Sequence, residues 1–167
     1  MRALDVLDSD PEAALDALVR VASIVCGTPI PLISLVDAER QSFKANIGLP
    51  GATETPRDVA FCAHEILDEQ IFEVPDVALD PRFADNPLVP HGPGIRFYAG
   101  APVQLSDGSR VGTLCVIDST PHQLTPRSAT CCPAWPRRPR RRWRAVTRSA
   151  APVNWLTRWP NSMNCFE

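Results

Sequence analysis

No apolar run in this chain approaches the ~18 residues that would cross a bilayer. The N-terminus, MRALDVLDSDPEA, is acidic and has no apolar core of the kind a secretory signal carries, so a cytoplasmic protein with no membrane partner is expected. Cysteine occurs at Cys26, Cys62, Cys115, Cys131, Cys132 and Cys165, but never as a CxxC pair, and a disulfide framework is not expected of such a chain. The histidines His64, His91 and His122 stand far apart, and no metal-ligand set is assigned.

What is present is one domain's worth of chain. The 167 residues suffice for one proper core, and an apolar content of 44% is ordinary for a globular protein. The net charge of −2 hides an asymmetry. Residues 1–126 carry 8 Lys and Arg against 18 Asp and Glu, a balance of −10. Residues 127–167 carry 9 Arg and a single acid, Glu167, a balance of +8. An acidic body is a poor partner for nucleic acid, and none is expected there.

Along the chain, Asp8-Ser9-Asp10-Pro11-Glu12 reads as a helix start, with Asp10 as cap and Pro11 in the first turn. Leu15, Leu18, Val19, Ala22 and Val25 then form one helical face, ended by Gly27-Thr28-Pro29. Residues 29–37 (PIPLISLVD) form a buried strand, 37–40 a hairpin turn, and 41–49 a second strand with Phe43, Ala45 and Ile47 on one face. Thr55-Pro56 starts a helix carrying Asp58, Phe61, Cys62, Glu65 and Ile66. Ile71 to Val74 is a strand, and Ala78 to Asn86 a loop. Residues 95–103 and 110–118 are strands joined by Ser106-Asp107-Gly108, a hairpin signal. This order gives an α+β domain with a mainly antiparallel sheet.

Three phrases organise the chain: RDVAFCAHEIL (57–67), VPDVALDPRFADNPLV (74–89) and IRFYAGAPV (95–103), closed by GTLCVID (112–118). In this order they resemble the GAF domains at the N-terminal end of bacterial sensor kinases, diguanylate cyclases and related signalling proteins, over roughly residues 3–126. The resemblance implies a central sheet flanked by helices, with a loop-roofed pocket. It implies a regulatory domain that is not itself catalytic and that senses a small molecule or partner. It also implies dimerisation through terminal helices, and a parent of the histidine kinase or diguanylate cyclase kind. No motif names the ligand or a cofactor. The NKFDE-type motif of cyclic-nucleotide GAF domains is missing, as are the full cysteine set of the free methionine sulfoxide reductases and the bilin-attachment motif.

Candidate ligand-binding residues are Phe61, Cys62, His64, Asp76, Arg82, Phe83, Asn86, Arg96 and Tyr98. A thiolate beside an imidazole is an activated nucleophile, which makes Cys62, with His64 or Cys115 nearby, a candidate for a thiol-based reductase of the free methionine sulfoxide type. Residues two apart on a helix face differently, and the plainer reading is a packing Cys with a polar His near the pocket rim. Asp76, Asp80, Arg82, Phe83 and Asn86 share one loop. They either bind a polar ligand, with Phe83 stacking on it, or cap turns, pair and fill the core. Arg96 and Tyr98 alternate with Ile95, Phe97 and Ala99. If their face looks inward they read an anionic or aromatic ligand; if outward they are surface. Cys26 and Cys115, among apolar residues, read as inert core thiols.

After Pro126 the chain turns rich in Arg, Pro, Trp and Cys without periodicity. Read one base upstream, the codons from Asn154 onward give apolar residues at a heptad-like spacing, so residues 127–167 are expected to be a frameshifted product that replaces a signalling helix. The alternative is a basic tail that binds nucleic acid or an acidic membrane surface.

Overall fold

The computed structural model describes residues 13–62, 71–104 and 109–131. Helix α1 (Ala13–Cys26) buries Val19, Ala22 and Cys26 and half-buries Leu15, Leu18 and Val25. It ends at Gly27, whose φ of 67° is left-handed, and whose N–H donates to Ser23 O at 2.8 Å. The stop read at Gly27-Thr28-Pro29 therefore holds. The start read at Asp8–Glu12 lies outside the described residues.

Strands β1 (Ile30–Val36), β2 (Arg40–Asn46), β3 (Glu54–Pro56), β4 (Phe72–Val74), β5 (Phe97–Gln104) and β6 (Arg110–Asp118) form one sheet in the order β3-β2-β1-β6-β5-β4. Every neighbouring pair is antiparallel. This is the expected α+β architecture. The turn read at Ser106–Gly108 lies outside the described residues. A short helix α2 (Pro126–Cys131) packs against α1. No helix among the described residues is long and apolar enough to cross a membrane.

Alternation along the strands sorts the side chains onto two faces. The α1 face collects Ile33, Ala45, Phe97, Ala99, Leu114 and Val116. The opposite face collects Ile30, Leu32, Tyr98, Cys115 and Ile117, and is roofed by Phe61, Cys62, Val77, Phe83 and Ile95 from the loops. The loop roof is present, and side chains lie beneath it. At Gly112, where β6 meets β1, an added Cβ would land on the carbonyl oxygen of Ser34, so only glycine lets the two strands close.

Three readings need correction. Phe43 and Ala45 do not share a face: the register passes from Ile33 opposite Ala45 to Ser34 opposite Phe43, leaving Lys44 as the extra residue of a bulge. Phe43 consequently packs under the roof, while Ala45 and Ile47 pack with α1. Thr55-Pro56 does not begin a helix. It belongs to edge strand β3, where a proline is tolerated, and Arg40 and Glu54 join the two strands at 2.7 Å. A 3-10 turn (Arg57–Val59) follows, and helical backbone appears at Cys62. Finally, Ile95, Phe97 and Ala99 do not line one face: β5 begins only at Phe97, and Ile95 turns under the roof.

Candidate functional site

The roofed face is apolar except at its centre. Ser34 on β1, Gln41 on β2 and Thr113 on β6 project onto it as buried polar residues. They meet at Cys62, which the 3-10 turn delivers from above. Four groups surround Cys62 Sγ: Thr113 Oγ1 at 2.8 Å, Tyr98 Oη at 3.1 Å, Gln41 Nε2 at 3.3 Å and Ser34 Oγ at 3.4 Å. Ser34, Gln41 and Thr113 donate to the sulfur, and the Cys115 side chain is hydrogen-bonded to it as well.

This convergence decides the charge of the thiol. Burial alone would push the Cys62 thiol up, because a low-dielectric interior opposes the thiolate. Hydrogen bonds from Cys115, Ser34, Thr113 and Tyr98 outweigh burial and bring it down to about 6. A thiol offers one weak donor, whereas a thiolate accepts several hydrogen bonds at once, so a wall of donors selects the anion.

Aromatic rings close the roof over this node. Phe61 stacks on Tyr98 with centroids 5.2 Å apart and meets Phe83 at 4.8 Å. Phe72 touches both Phe83 and Tyr98 edge-on. The Arg82 guanidinium lies over Phe72 and Phe83, 5.0 and 5.3 Å from their centroids.

Of the residues singled out from sequence, Phe61, Cys62, Phe83 and Tyr98 come together. Asp76, Arg82, Asn86 and Arg96 hold the roof in place. Asp76 accepts from Ala78 N at 3.2 Å to cap the second 3-10 turn (Val77–Leu79), and its carboxylate takes Arg96 bidentately at 2.9 and 2.7 Å. The Arg96 hydrogen bonds hold the Asp76 carboxyl below the usual carboxylate range. Asp80 accepts from both the backbone N and the Nε of Arg82 at 2.9 Å, and that side chain lowers it likewise. Asn86 donates to Val59 O at 2.9 Å and accepts from Leu88 N at 3.0 Å, tying the loop to the segment before Phe61. Arg96 and Tyr98 therefore do not act as a pair: Tyr98 points inward, while Arg96 is spent on Asp76. His64 lies outside the described residues. Cys115 is not an inert core thiol set apart, since it bonds to Cys62, whereas Cys26 packs in the aliphatic α1 cluster.

Sequence reasoning missed Ser34, Gln41 and Thr113. The signal was present: Ser34 and Thr113 are lone polar residues in apolar strands, in phase with Leu32 and Cys115, and a buried hydroxyl needs a partner.

Residues 10–130 match the family described as GAF domain. The chain is 47% identical over 118 residues to a cyclic di-GMP phosphodiesterase of Pseudomonas aeruginosa, across 71% of this chain and 20% of that protein. It thus spans about a fifth of that relative's length. Among solved structures it is similar to the GAF domain of an Acinetobacter phosphoenolpyruvate-protein phosphotransferase, with TM-score 0.55, 19% identity, and 79% of this chain and 84% of that one covered. It is also similar to the free methionine-R-sulfoxide reductase of Neisseria meningitidis in complex with its substrate, with TM-score 0.55, 18% identity, and 77% and 75% covered. At these identities the structural likenesses establish the fold alone.

Proposed function

We propose, on the premise that this chain belongs to the GAF domain family, that it is a regulatory domain of a signalling protein and that its signal is read by thiol chemistry at Cys62. One observation carries this reading: a single buried sulfur is bonded to side chains on four different strands, β1, β2, β5 and β6. Loss of its charge, or a covalent change at the sulfur, disturbs every one of those bonds at once. That is the differential interaction a two-state switch requires. Asp76, Asp80, Arg82, Phe83 and Asn86 support a ligand role less well, because each is already engaged in capping, pairing or packing. The related phosphodiesterase adds cyclic dinucleotide hydrolysis to kinase and cyclase activity as outputs such a domain would govern. The tail, residues 127–167, stays assigned to a frameshift, and resequencing the gene beyond codon 115 tests that.

The test of the thiol reading is the rate of Cys62 alkylation against pH, with peptide mass spectrometry to assign the site. A midpoint near pH 6 is expected. A midpoint at the ordinary value of about 8.5 removes the basis of the reading.

A second reading is favoured by the second thiol: Cys62 and Cys115, hydrogen-bonded to each other, suit turnover as well as sensing. On it the chain reduces free methionine sulfoxide. Reduction that disappears in Cys62→Ser supports this reading, and an inactive wild type ends it.

A further inference from the structure

One atom of the polar node is left without a partner among the described residues. Gln41 is buried, at 4% exposure, and its Nε2 donates to Cys62 Sγ, yet its Oε1 accepts from no described residue. An orphaned carbonyl oxygen in a buried site calls for a donor. Ser34 and Thr113 engage their hydroxyl protons at the sulfur and with each other, 3.2 Å apart, and a Cys62 thiolate has no proton to give. A hydroxyl placed one bond beyond the sulfur would supply the missing donor, and that group is a sulfenic acid.

We propose that Cys62 is a site of oxidation by hydroperoxides, with its sulfenic acid held by Gln41 Oε1 and resolved by Cys115. This rests on the thiol-centred reading above and names the chemistry it performs. In the first step the Cys62 thiolate attacks one peroxide oxygen. The S–O bond forms, the O–O bond breaks, and the departing hydroxide takes a proton from the solvent to leave as water. Sulfur loses two electrons and the peroxide gains them. The new hydroxyl donates to Gln41 Oε1. In the second step the Cys115 sulfur attacks Cys62 Sγ. The S–S bond forms, the S–O bond breaks, and water leaves with the proton that Cys115 gives up.

Two features fix the class of oxidant and the resolving group. Phe61, Phe83 and Tyr98 roof the sulfur and are all nearly fully buried, so a small hydroperoxide reaches it more readily than a bulky one. Hydrogen peroxide is such a molecule, and it both donates and accepts hydrogen bonds. Cys115 is fully buried on the same face of β6 as Thr113 and is bonded to Cys62, so it meets the sulfenic acid without a large movement.

The experiment treats the full chain with hydrogen peroxide at neutral pH and reads each cysteine by mass spectrometry, with and without the sulfenic acid trap dimedone. Cys26 is the internal control, because it is 4% exposed against 2% for Cys62 and differs chiefly in its surroundings. Cys62 is expected to oxidise at least about tenfold faster than Cys26, since a donor-stabilised thiolate is the reactive form. Without dimedone a Cys62–Cys115 disulfide should appear, and in Cys115→Ala the dimedone adduct should accumulate instead. Gln41→Met, which removes the orphan acceptor, should slow sulfenic acid formation severalfold while the Cys26 rate, the measure of an intact fold, stays constant. Equal rates at Cys62 and Cys26 overturn the proposal. Sulfenic acid that never joins Cys115 overturns the resolving role. If alkylation places the Cys62 midpoint near pH 6 and peroxide leaves Cys62 untouched, the proposal falls and the thiol-centred reading survives. If the midpoint is ordinary, both fall.

Discussion

On the α1 side of the sheet, Cys26 packs among Val19, Ala22, Ile33 and Leu114; on the roofed side, Cys62 packs against Ser34, Gln41, Tyr98 and Thr113. The two cysteines are buried alike and pack against opposite faces of one sheet. They differ in what the strands present to them. The α1 face is built of aliphatic and phenyl groups whose burial stabilises the fold without direction. The roofed face puts four hydrogen-bonding groups around one sulfur, at the cost of desolvating them. Burial by itself therefore says nothing about whether a cysteine is structural; the donors around it decide.

The sharpest way to break this comparison is to excavate each face in turn. Phe97 sits in β5 and is fully buried on the α1 side, while Phe83 is buried in a loop turn of the roof. Phe97→Ala should cost about 3–5 kcal/mol in urea unfolding, because a strand at the middle of the core cannot collapse to fill the void. Phe83→Ala should fall at or below the low end of that range, because a loop relaxes, and should accelerate Cys62 alkylation. If Phe97→Ala accelerates Cys62 as much as Phe83→Ala does, the faces are not independent.

The next effect is read in pH. The Cys62 thiol is held near 6 in the folded chain, against about 8.5 for an ordinary thiol. A depressed folded pKa gives stability that is complete above the unfolded value and is lost as pH falls through the folded one. Stability should therefore rise between about pH 6 and pH 8.5, by on the order of 3 kcal/mol across the window. Cys115 and Tyr98 are the other titratable groups at the sulfur. Cys62→Ser should flatten the rise, whereas Cys26→Ser should leave it. A profile that is already flat in the wild type would remove the thiolate from the roofed face.

A smaller change isolates a single donor. Tyr98→Phe keeps the ring stacked on Phe61 and deletes the hydroxyl 3.1 Å from the sulfur. It should cost about 0.5–1.5 kcal/mol, the range for one hydrogen bond, and move the alkylation midpoint of Cys62 upward. An unmoved midpoint would mean that the remaining donors hold the anion without Tyr98.

Much of this was legible in the sequence, and the misses share a cause. The α1 face followed from the helical spacing of Leu15 to Val25, and the strands from their apolar runs and turn signals. Phe61, Cys62, Phe83 and Tyr98 were within reach because their side chains stand out in composition. Ser34, Gln41 and Thr113 were not, because a lone hydroxyl or amide in a strand acquires meaning only when the register sets it opposite a partner. The Lys44 bulge hid the register further: it reversed the alternation after Phe43, so a simple period of two assigned Phe43 and Ala45 to the same side. Arg96 misled in the opposite direction. A guanidinium two residues from a buried tyrosine suggested a shared task, but β5 starts only at Phe97, and Arg96 is free to turn toward Asp76.

That last geometry yields the smallest expected effect. Arg96 and Asp76 make a bidentate pair at the base of the roof, on the partly exposed side of the loop, where water and salt screen the charges. Removing the pair in Arg96→Ala should change the unfolding midpoint little. The capping bond from Ala78 N to Asp76 persists without Arg96, and the loop is held independently by the Asn86 bonds to Val59 and Leu88. Cys62 alkylation should be unchanged, because the side-chain bonds of this pair run to each other and to Ala78 and not to the sulfur. The discriminating variant is Asn86→Ala. It loosens the segment that leads into Phe61 and should raise the alkylation rate with a loss of about 1 kcal/mol. If Arg96→Ala instead raises Cys62 reactivity more than Asn86→Ala, the roof is gated by its outer ion pair rather than by the inner tie. The roofed face would then respond to salt, and alkylation measured across ionic strengths would show it.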